Sequence, residues 1–161
     1  MSTIRIRKAT LEDLPVLLQF EQGIVSAERP FDETLASEKF HYYDLGERIK
    51  DADAEVVVAE VDDDVVGGGS AIIKEGKPYN VFDRYAFLGF MYVEPAYRGQ
   101  GINKLIIEKL MQWSHEKGLS EVRLQVYSDN LPAIRAYEKV GFKKILTEMR
   151  FAPEPGTSKR Q

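Results

Sequence analysis

The stretch Tyr85–Lys117 constrains the fold more than any other part of the sequence, because three elements of different kinds follow one another in it without a break. Residues Tyr85–Val93 are nearly all apolar or aromatic, which predicts a strand buried on both faces. A Glu-Pro pair ends that strand, and a glycine turn follows. Gly101–Lys117 is the strongest predicted helix, since its apolar positions form one stripe: Ile102, Leu105, Ile106, Leu110 and Trp113.

Weaker elements flank this stretch in a clear order, with a strand, two helices and a hairpin before it and a strand, a helix and a strand after it. The first helix begins at Thr10 or Asp13, and Pro15 falls in its first turn. The predicted elements are the strand Thr3–Ala9, a helix reaching Val25, a helix over Glu33–Ile49, the hairpin strands Val56–Val61 and Val65–Lys74, the strand Glu121–Tyr127, the helix Asn130–Val140 and the strand Phe142–Arg150.

Three consecutive aspartates, Asp62 to Asp64, join the two strands of the hairpin. They lack the alternating ligands and the distal glutamate of a calcium loop, so a solvated turn is predicted and no metal site is expected. Three glycines, Gly67 to Gly69, follow within the second strand. Glycines inside a strand indicate a bulge, or a place where another backbone or a ligand comes close.

Length and charge limit the classes of function. With 161 residues, the chain is expected to form one domain over residues 1–152, followed by a flexible tail over residues 153–161. The net charge of −4, without a run of lysine and arginine, argues against nucleic acid as a partner, because phosphate binding needs clustered positive charge. An acidic surface suits an amine-bearing substrate, although it often serves only solubility.

The absence of cysteine excludes disulfides, zinc-thiolate sites and a cysteine nucleophile. The first residues lack the apolar core of a signal peptide, and no apolar run approaches the ~20 residues of a membrane span. A cytoplasmic protein without a membrane partner is therefore expected.

The segment Tyr97–Lys104, YRGQGINK, carries the first chemical signal. It opens a helix, and the first N–H groups of a helix point outward without internal partners while the helix dipole adds partial positive charge. Glycines at 99 and 101 let the backbone approach an anion closely, and Arg98 adds charge. This pattern suits a pyrophosphate, but a glycine turn that only joins a strand to a helix explains it about as well.

The segment NLPAIRAYEKVGF carries the second signal. Asn130 is a plausible helix cap, Pro132 sits in the first turn, and Tyr137 lies seven residues after Asn130, so both project from nearly the same face. Capping explains Asn130 completely, whereas a buried tyrosine hydroxyl needs a partner.

Together these motifs resemble the GNAT superfamily of acyl-CoA-dependent N-acyltransferases. The match covers Leu88 to Phe142 and consists, in order, of V-E-P-A-Y-R-G-Q-G-I, L-Q-V-Y and N-x-x-A-I-x-x-Y-E-K-x-G-F. The resemblance implies an α/β (α+β) fold, with a mixed, mostly antiparallel sheet of six to seven strands flanked by about four helices. It also implies an N-acetyltransferase that uses acetyl-CoA and an amine acceptor of a small molecule, a peptide or a protein.

The resemblance further assigns roles to residues of the cofactor site. Pantetheine should lie between the splayed strands Tyr85–Val93 and Glu121–Tyr127, and the glycine turn should hold the pyrophosphate. Asn130 should contact the cofactor, and Tyr137 should stand beside the sulfur as the general acid that protonates the leaving thiolate. The implied cofactor-binding residues are Met91, Tyr92, Val93, Arg98, Gly99, Gln100, Gly101, Ile102, Asn103, Lys104 and Asn130.

Two positions depart from the family pattern. The turn usually reads R-x-x-G-x-G or R-x-x-G-x-A, but Asn103 stands at its last position. Gln125 stands where relatives resembling ribosomal-protein N-terminal acetyltransferases carry a glutamate base, and an amide does not accept a proton at neutral pH. The candidate bases by residue type are Glu94, Glu28 and His41, with a water chain as the alternative.

The missing glutamate leaves a second function open, a catalytically idle acyl-CoA-binding module that regulates a partner. The acceptor should be chosen by Ala27–Tyr43 and Lys74–Tyr85, where no motif identifies it. Because family members often pair, the aromatic residues of these segments also predict a homodimer: Phe40, Tyr42, Tyr43, Tyr79, Phe82 and Tyr85.

Overall fold

The computed structural model describes residues 3–152, which separate into two compact units, one ending at Gln125 and the other beginning at Val126. The predicted tail at 153–161 lies outside the described residues. The first unit contains the strands β1 to β5 and the helices α1 to α3; the second contains α4. Their bounds are β1 Ile4–Lys8, α1 Leu14–Glu28, α2 Leu45–Lys50, β2 Ala54–Val61, β3 Asp64–Glu75, β4 Arg84–Val93, α3 Ile102–Glu116, β5 Val122–Leu124 and α4 Leu131–Lys139.

The strands form one sheet in the order β1-β2-β3-β4-β5. The first three pairings are antiparallel and that of β4 with β5 is parallel, which confirms the mixed, mostly antiparallel sheet. None of the helices in the described chain is long and apolar enough to cross a membrane.

The expectation of six to seven strands is wrong in number, since the sheet has five strands among the residues described. The predicted strand Phe142–Arg150 is absent there, and its apolar side chains at Ile145, Leu146 and Met149 are 69%, 87% and 89% exposed. An alternating pattern favours extended backbone, but a strand also needs a neighbour that takes up its hydrogen bonds.

The sheet of the first unit is covered on both faces, and two adjacent glycines of β3 show this directly. A Cβ on Gly68 would meet Leu17 of α1 at 3.1 Å, whereas a Cβ on Gly69 would meet Ile106 of α3 at 2.5 Å. Because neighbouring residues of a strand face opposite sides, α1 and α3 pack on opposite faces. The predicted close approach at these glycines is confirmed.

The predicted hairpin is confirmed, with Asp62 and Asp63 at its tip in left-handed conformation (φ 51° and 72°). Two consecutive positive φ values define the type I′ turn, which matches the twist of the flanking strands. The register of β2 and β3 then shifts once, because Ala59 pairs with Gly67 but Glu60 pairs with Val65. Val66 is the extra residue of this bulge and directly precedes the three glycines at which a bulge was one of the two expectations.

The predicted helix over Glu33–Ile49 is wrong for most of its length, because only Leu45–Lys50 is helical. The reason is a buried carboxylate on the neighbouring helix. Glu21 of α1 is completely buried and accepts hydrogen bonds from the backbone N–H groups of Tyr42 and Tyr43 at 2.8 and 2.9 Å. Those amides are bound to a side chain instead of a helix carbonyl. The helix therefore begins only after its N-cap Asp44, whose carboxylate accepts from Glu47 N at 3.1 Å.

Candidate active site

The strands β4 and β5 pair over three residues only, from Ala86 with Val122 to Leu88 with Leu124. On its other side, β4 shifts register against β3 at the same point, since Leu88 pairs with Ala71 but Phe90 pairs with Ser70. Gly89 is the extra residue of that bulge, and a bulge bends and twists the strand that carries it. The two strands therefore separate after Leu88, within the first unit, as the family resemblance implied.

Beyond the bulge, no strand among residues 3–152 pairs with the edge of β4 that turns away from β3. The backbone groups of Glu94 and Tyr92 face β3. The N–H of Glu94 donates to Val66 O at 2.8 Å, and the carbonyl oxygen of Tyr92 lies 2.7 Å from where a Cβ of Gly67 would stand. Since backbone groups alternate along a strand, Met91 and Val93 point theirs to the opposite edge. Met91 and Val93 thus turn their backbone groups away from β3, whereas Tyr92 directs its own to β3.

The glycine turn carries β4 into α3 through a short turn at Pro95–Tyr97. Gly99 and Gly101 are both left-handed, with φ +80° and +81°, which other residues adopt only under strain. Gly101 is the N-cap of α3 and has no side chain to bind the first amides. The first intrahelical bond to it comes from Leu105 N, at 3.2 Å, so the N–H groups of Ile102 to Lys104 have no partner inside the helix.

These amides border an open pocket of about 130 Å³. A Cβ at either turn glycine would meet no atom within 4 Å, so the space before the turn is free for a ligand. Seven residues line the pocket, and all but Tyr97 belong to the predicted cofactor site: Val93, Tyr97, Arg98, Gly99, Gly101, Ile102 and Asn103. Unpaired amides at a helix N-terminus and free space before them fit a pyrophosphate group.

Charged and polar side chains complete the pocket. Arg98 donates from Nε to Val93 O at 2.8 Å and lies over the Tyr92 ring at 5.5 Å, which ties the turn to the end of β4. Asn103, the departure from the family pattern, is among the residues that line the pocket. Gln100 is exposed, and Lys104 is exposed too and pairs with Glu108 at 3.8 Å.

A second group of side chains gathers at the bulge, on the α1 face of β4. The Tyr43 hydroxyl donates to Gly89 O, and the Arg48 guanidinium lies 4.7 Å over the Tyr43 ring and donates to the buried Ser70 Oγ at 2.9 Å. Burial lowers the pKa of Arg48. Sequence reasoning missed this role of Arg48, since nothing local relates it to Gly89.

The three candidate bases occupy different environments. Burial raises the pKa of Glu28, an effect that Asp32 strengthens and a hydrogen bond from Tyr42 opposes. His41 is bonded through Nδ1 to Glu21 at 2.6 Å. Glu94 is half-buried at the end of β4.

Sequence reasoning did not identify Glu21 as a residue of this region. The signal that could have found it is one charged residue among the apolar positions of a helix.

In the second unit, α4 begins and ends as predicted. Asn130 caps it by accepting from Ala133 N at 3.4 Å, and Pro132 lies in its first turn. Tyr137 is half-buried, and its ring meets Phe142 edge-on at 6.0 Å. The capping interpretation of Asn130 is confirmed. Gln125, the last residue of the first unit, is exposed directly after β5.

Comparison with known proteins agrees with this geometry. A model described as "Acetyltransferase (GNAT) family" matches residues 20–142. An N-alpha-acetyltransferase of Sulfurisphaera tokodaii is 30% identical over 146 residues, which are 88% of this chain and 81% of that protein. A thialysine N-epsilon-acetyltransferase of Sus scrofa is 35% identical over 81 residues, which are 48% of each chain, so the chain spans about half the length of that relative.

Solved structures show the same fold. An aminoglycoside N-acetyltransferase, AAC(6')-Iy, in complex with CoA superimposes with a TM-score of 0.72 at 16% identity, over 93% of this chain and 99% of that chain.

Proposed function

Because this chain belongs to the acetyltransferase (GNAT) family, we propose that it transfers an acetyl group from acetyl-CoA to a primary amine by direct attack. One observation carries the proposal: unpaired amides at the N-terminus of α3 border an open pocket beside the free edge of β4. The pocket suits the pyrophosphate of coenzyme A, and the edge suits the amide groups of its pantetheine arm. When bound, acetyl-CoA supplies the activated acetyl group as a thioester.

The residues of the first unit bind and orient in this proposal. Amides of Gly99 to Lys104 hold the phosphates, and Arg98 keeps the turn against β4 through Val93 O. That carbonyl retains a second lone pair, and the N–H of Val93 stays available for pantetheine. Backbone N–H groups at this edge are also of the type that stabilises a developing oxyanion.

The residues of α4 supply the remaining roles. Asn130 contacts the cofactor in addition to its capping bond, and Tyr137 protonates the thiolate that leaves. A phenol suits this role because its ordinary pKa of about 10 keeps it protonated at neutral pH while lying close to that of a thiol. No acyl-enzyme is needed, in keeping with the absence of cysteine.

The acceptor is an amine of a small molecule, a peptide or a protein. The names of two relatives point to an ε-type amine and an α-amine. The segment Ala27–Tyr43 that should receive it contains four acidic residues, Glu28, Asp32, Glu33 and Glu38, but only two basic ones, Arg29 and Lys39. Such a loop favours a cationic acceptor over an anionic one.

The test is release of coenzyme A thiol from acetyl-CoA in the presence of thialysine, lysine, a peptide with a free α-amine, and an aminoglycoside, each against a control without amine. Stimulation by at least one amine, with acetylated product in the mass spectrum, is the expected result. Tight coenzyme A binding without turnover on any amine would favour the idle binding module instead.

A homodimer and a cytoplasmic location complete the proposal. Tyr42 and Tyr43 pack against the hydrophobic core, so they do not supply a dimer surface, whereas Tyr79 is 82% exposed. We therefore place the proposed interface at Tyr79–Tyr85. Light scattering that gives the monomer mass at micromolar concentration would remove the dimer.

A further inference from the structure

Glu21 is a buried carboxylate for which the proposed cofactor site has no use. It is completely buried on α1, and its Oε2 accepts from two backbone amides at 2.8 and 2.9 Å. Its other oxygen, Oε1, lies 2.6 Å from His41 Nδ1. A buried charge is costly unless it is fully hydrogen-bonded, so this constellation is a specific one.

The Glu21 carboxylate binds His41 through one ring nitrogen, Nδ1, and the ring as a whole remains partly exposed to solvent. Its side chain is 50% exposed although its partner is fully buried. A carboxylate only accepts, so Nδ1 must carry a proton, and the lone pair of the neutral ring then lies on Nε2. The same arrangement of carboxylate and imidazole orients the general base of the serine-protease triad.

The position of the pair in the fold relates it to the proposed acetyl site. Tyr43, two residues after His41, donates to Gly89 O at the bulge where β4 leaves β5. On the other side of the pair, Phe20 precedes Glu21 and its ring stacks on Tyr92 of β4 at 5.0 Å. His41 therefore lies on a loop that reaches β4 at the bulge, and its partner Glu21 lies on the helix that packs against β4 beyond the bulge.

We infer that His41, held by Glu21, is the general base that deprotonates the acceptor amine. The inference rests on the proposed function. It supplies a general base in a chain that has Gln125 where some members of the family carry a glutamate base. The proton of the ammonium passes to His41 Nε2, the positive charge passes from the ammonium to the imidazolium, and solvent then takes the proton from the ring. No oxidant, reductant or further reactant is required.

The charged groups around the pair are compatible with this role. Glu21 faces His41 from α1, and Arg48 of α2 interacts electrostatically with Glu21. Arg29 lies over the ring of Phe40, the residue before His41, at 5.6 Å.

The kinetic test uses His41→Asn, with His115→Asn as the matched control. Asparagine keeps an N–H donor for Glu21 but has no basic nitrogen, and His115 is the other histidine of the chain, exposed on α3. We expect kcat/KM of His41→Asn at pH 7 to fall about 10²–10⁴-fold, with less loss at pH 9, where more amine is neutral. The affinity for coenzyme A and the activity of the control should stay unchanged.

A second variant protects the test against misfolding. In His41→Ala, added imidazole should restore turnover in proportion to its concentration, which a merely structural role of the ring would not produce. Unchanged kcat/KM in His41→Asn, or absence of rescue in a folded His41→Ala, would overturn the inference while acetyl transfer by the unmutated protein stands. No transfer by the unmutated protein would overturn the proposed function and this inference together.

The third readout needs no cofactor. Nitrogen-15 NMR of the imidazole rings in the free protein should show neutral His41 as the Nδ1–H tautomer. The signals that disappear in His41→Asn assign the ring. An Nε2–H tautomer would contradict the hydrogen bond to Glu21 and overturn the inference.

Discussion

Gly101 and Gly118 adopt the same left-handed conformation at the two ends of α3, with φ +81° and +77°, and a Cβ at either would meet no atom within 4 Å. Their surroundings differ in chemistry. Gly101 stands where unpaired amides border the pocket, whereas Gly118 follows the last turn, which Leu119 N closes by bonding to Ser114 O at 3.0 Å. The two positions therefore form a matched pair for separating backbone strain from cofactor binding.

Alanine at either glycine should cost a similar amount of stability, about 1–2 kcal/mol, because both would force a side chain into the left-handed region. Only Gly101→Ala should weaken coenzyme A binding, about tenfold or more, since only there does a methyl group enter the space before the amides. Calorimetric titration of both variants with coenzyme A measures the difference. Equal affinities in the two would show that the turn does not hold the cofactor.

Asn130→Ser should leave stability almost unchanged and weaken the use of acetyl-CoA. Serine also caps helices, so the variant should lose less than ~1 kcal/mol. Asn130 accepts the capping bond from Ala133 N at 3.4 Å, and the family resemblance implies a contact with the cofactor in addition to it. Thermal unfolding and the KM for acetyl-CoA should be measured side by side. If KM is the same in both proteins, capping is the whole role of Asn130.

Tyr137→Phe should lower kcat about 10²–10⁴-fold while the affinity for acetyl-CoA stays nearly unchanged. The substitution keeps the ring that packs edge-on against Phe142 and removes only the hydroxyl proton. Phe142→Leu is the control for packing, since it disturbs the same ring contact and leaves the hydroxyl in place. The fall is smaller if nucleophilic attack limits the rate. Wild-type kcat across the pH range would exclude the general-acid role.

Asp13→Asn should destabilise the protein at neutral pH and have a smaller effect in acid. Arg7 donates two hydrogen bonds to the largely buried Asp13 carboxylate, at 2.8 and 2.9 Å, and these hold its pKa below the ordinary value. A lowered carboxyl pKa contributes stability that is present above the unfolded value, near pH 4, and is lost as the pH falls further. Charge-assisted bonds of this kind are worth about 1.5–3 kcal/mol.

The measurement is the free energy of unfolding by urea at pH 7 and at pH 3 for the wild type, Asp13→Asn and Glu12→Gln. Glu12 is the exposed neighbour and serves as the control. The difference between wild type and Asp13→Asn should shrink at pH 3, because below the ordinary pKa near 4 the unfolded chain takes up a proton at Asp13 that the native carboxylate resists. A difference that does not depend on pH would mean that the ionised pair does not stabilise the fold.

The sequence alone determined the elements whose causes are local. The turn from β4 into α3 follows from an apolar run, two glycines and an amphipathic helix, all within a few residues of one another. The cap at Asn130 and the hairpin at Asp62 were predictable for the same reason, since a capping residue and a short polar turn between two apolar runs are properties of neighbouring residues. The mixed sheet, in contrast, was expected only from the family resemblance.

The tertiary structure alone decided what depends on residues distant in the chain. The stretch before α2 is not helical because Glu21, some twenty residues earlier, binds the amides of Tyr42 and Tyr43. The same carboxylate turns His41 from a residue of suitable type into an oriented imidazole. The point where β4 leaves β5 is likewise set by the bulge at Gly89 against β3. In each case a polar group or a strand edge took its partner from another element, and local propensity carries no information about which partner folding brings near.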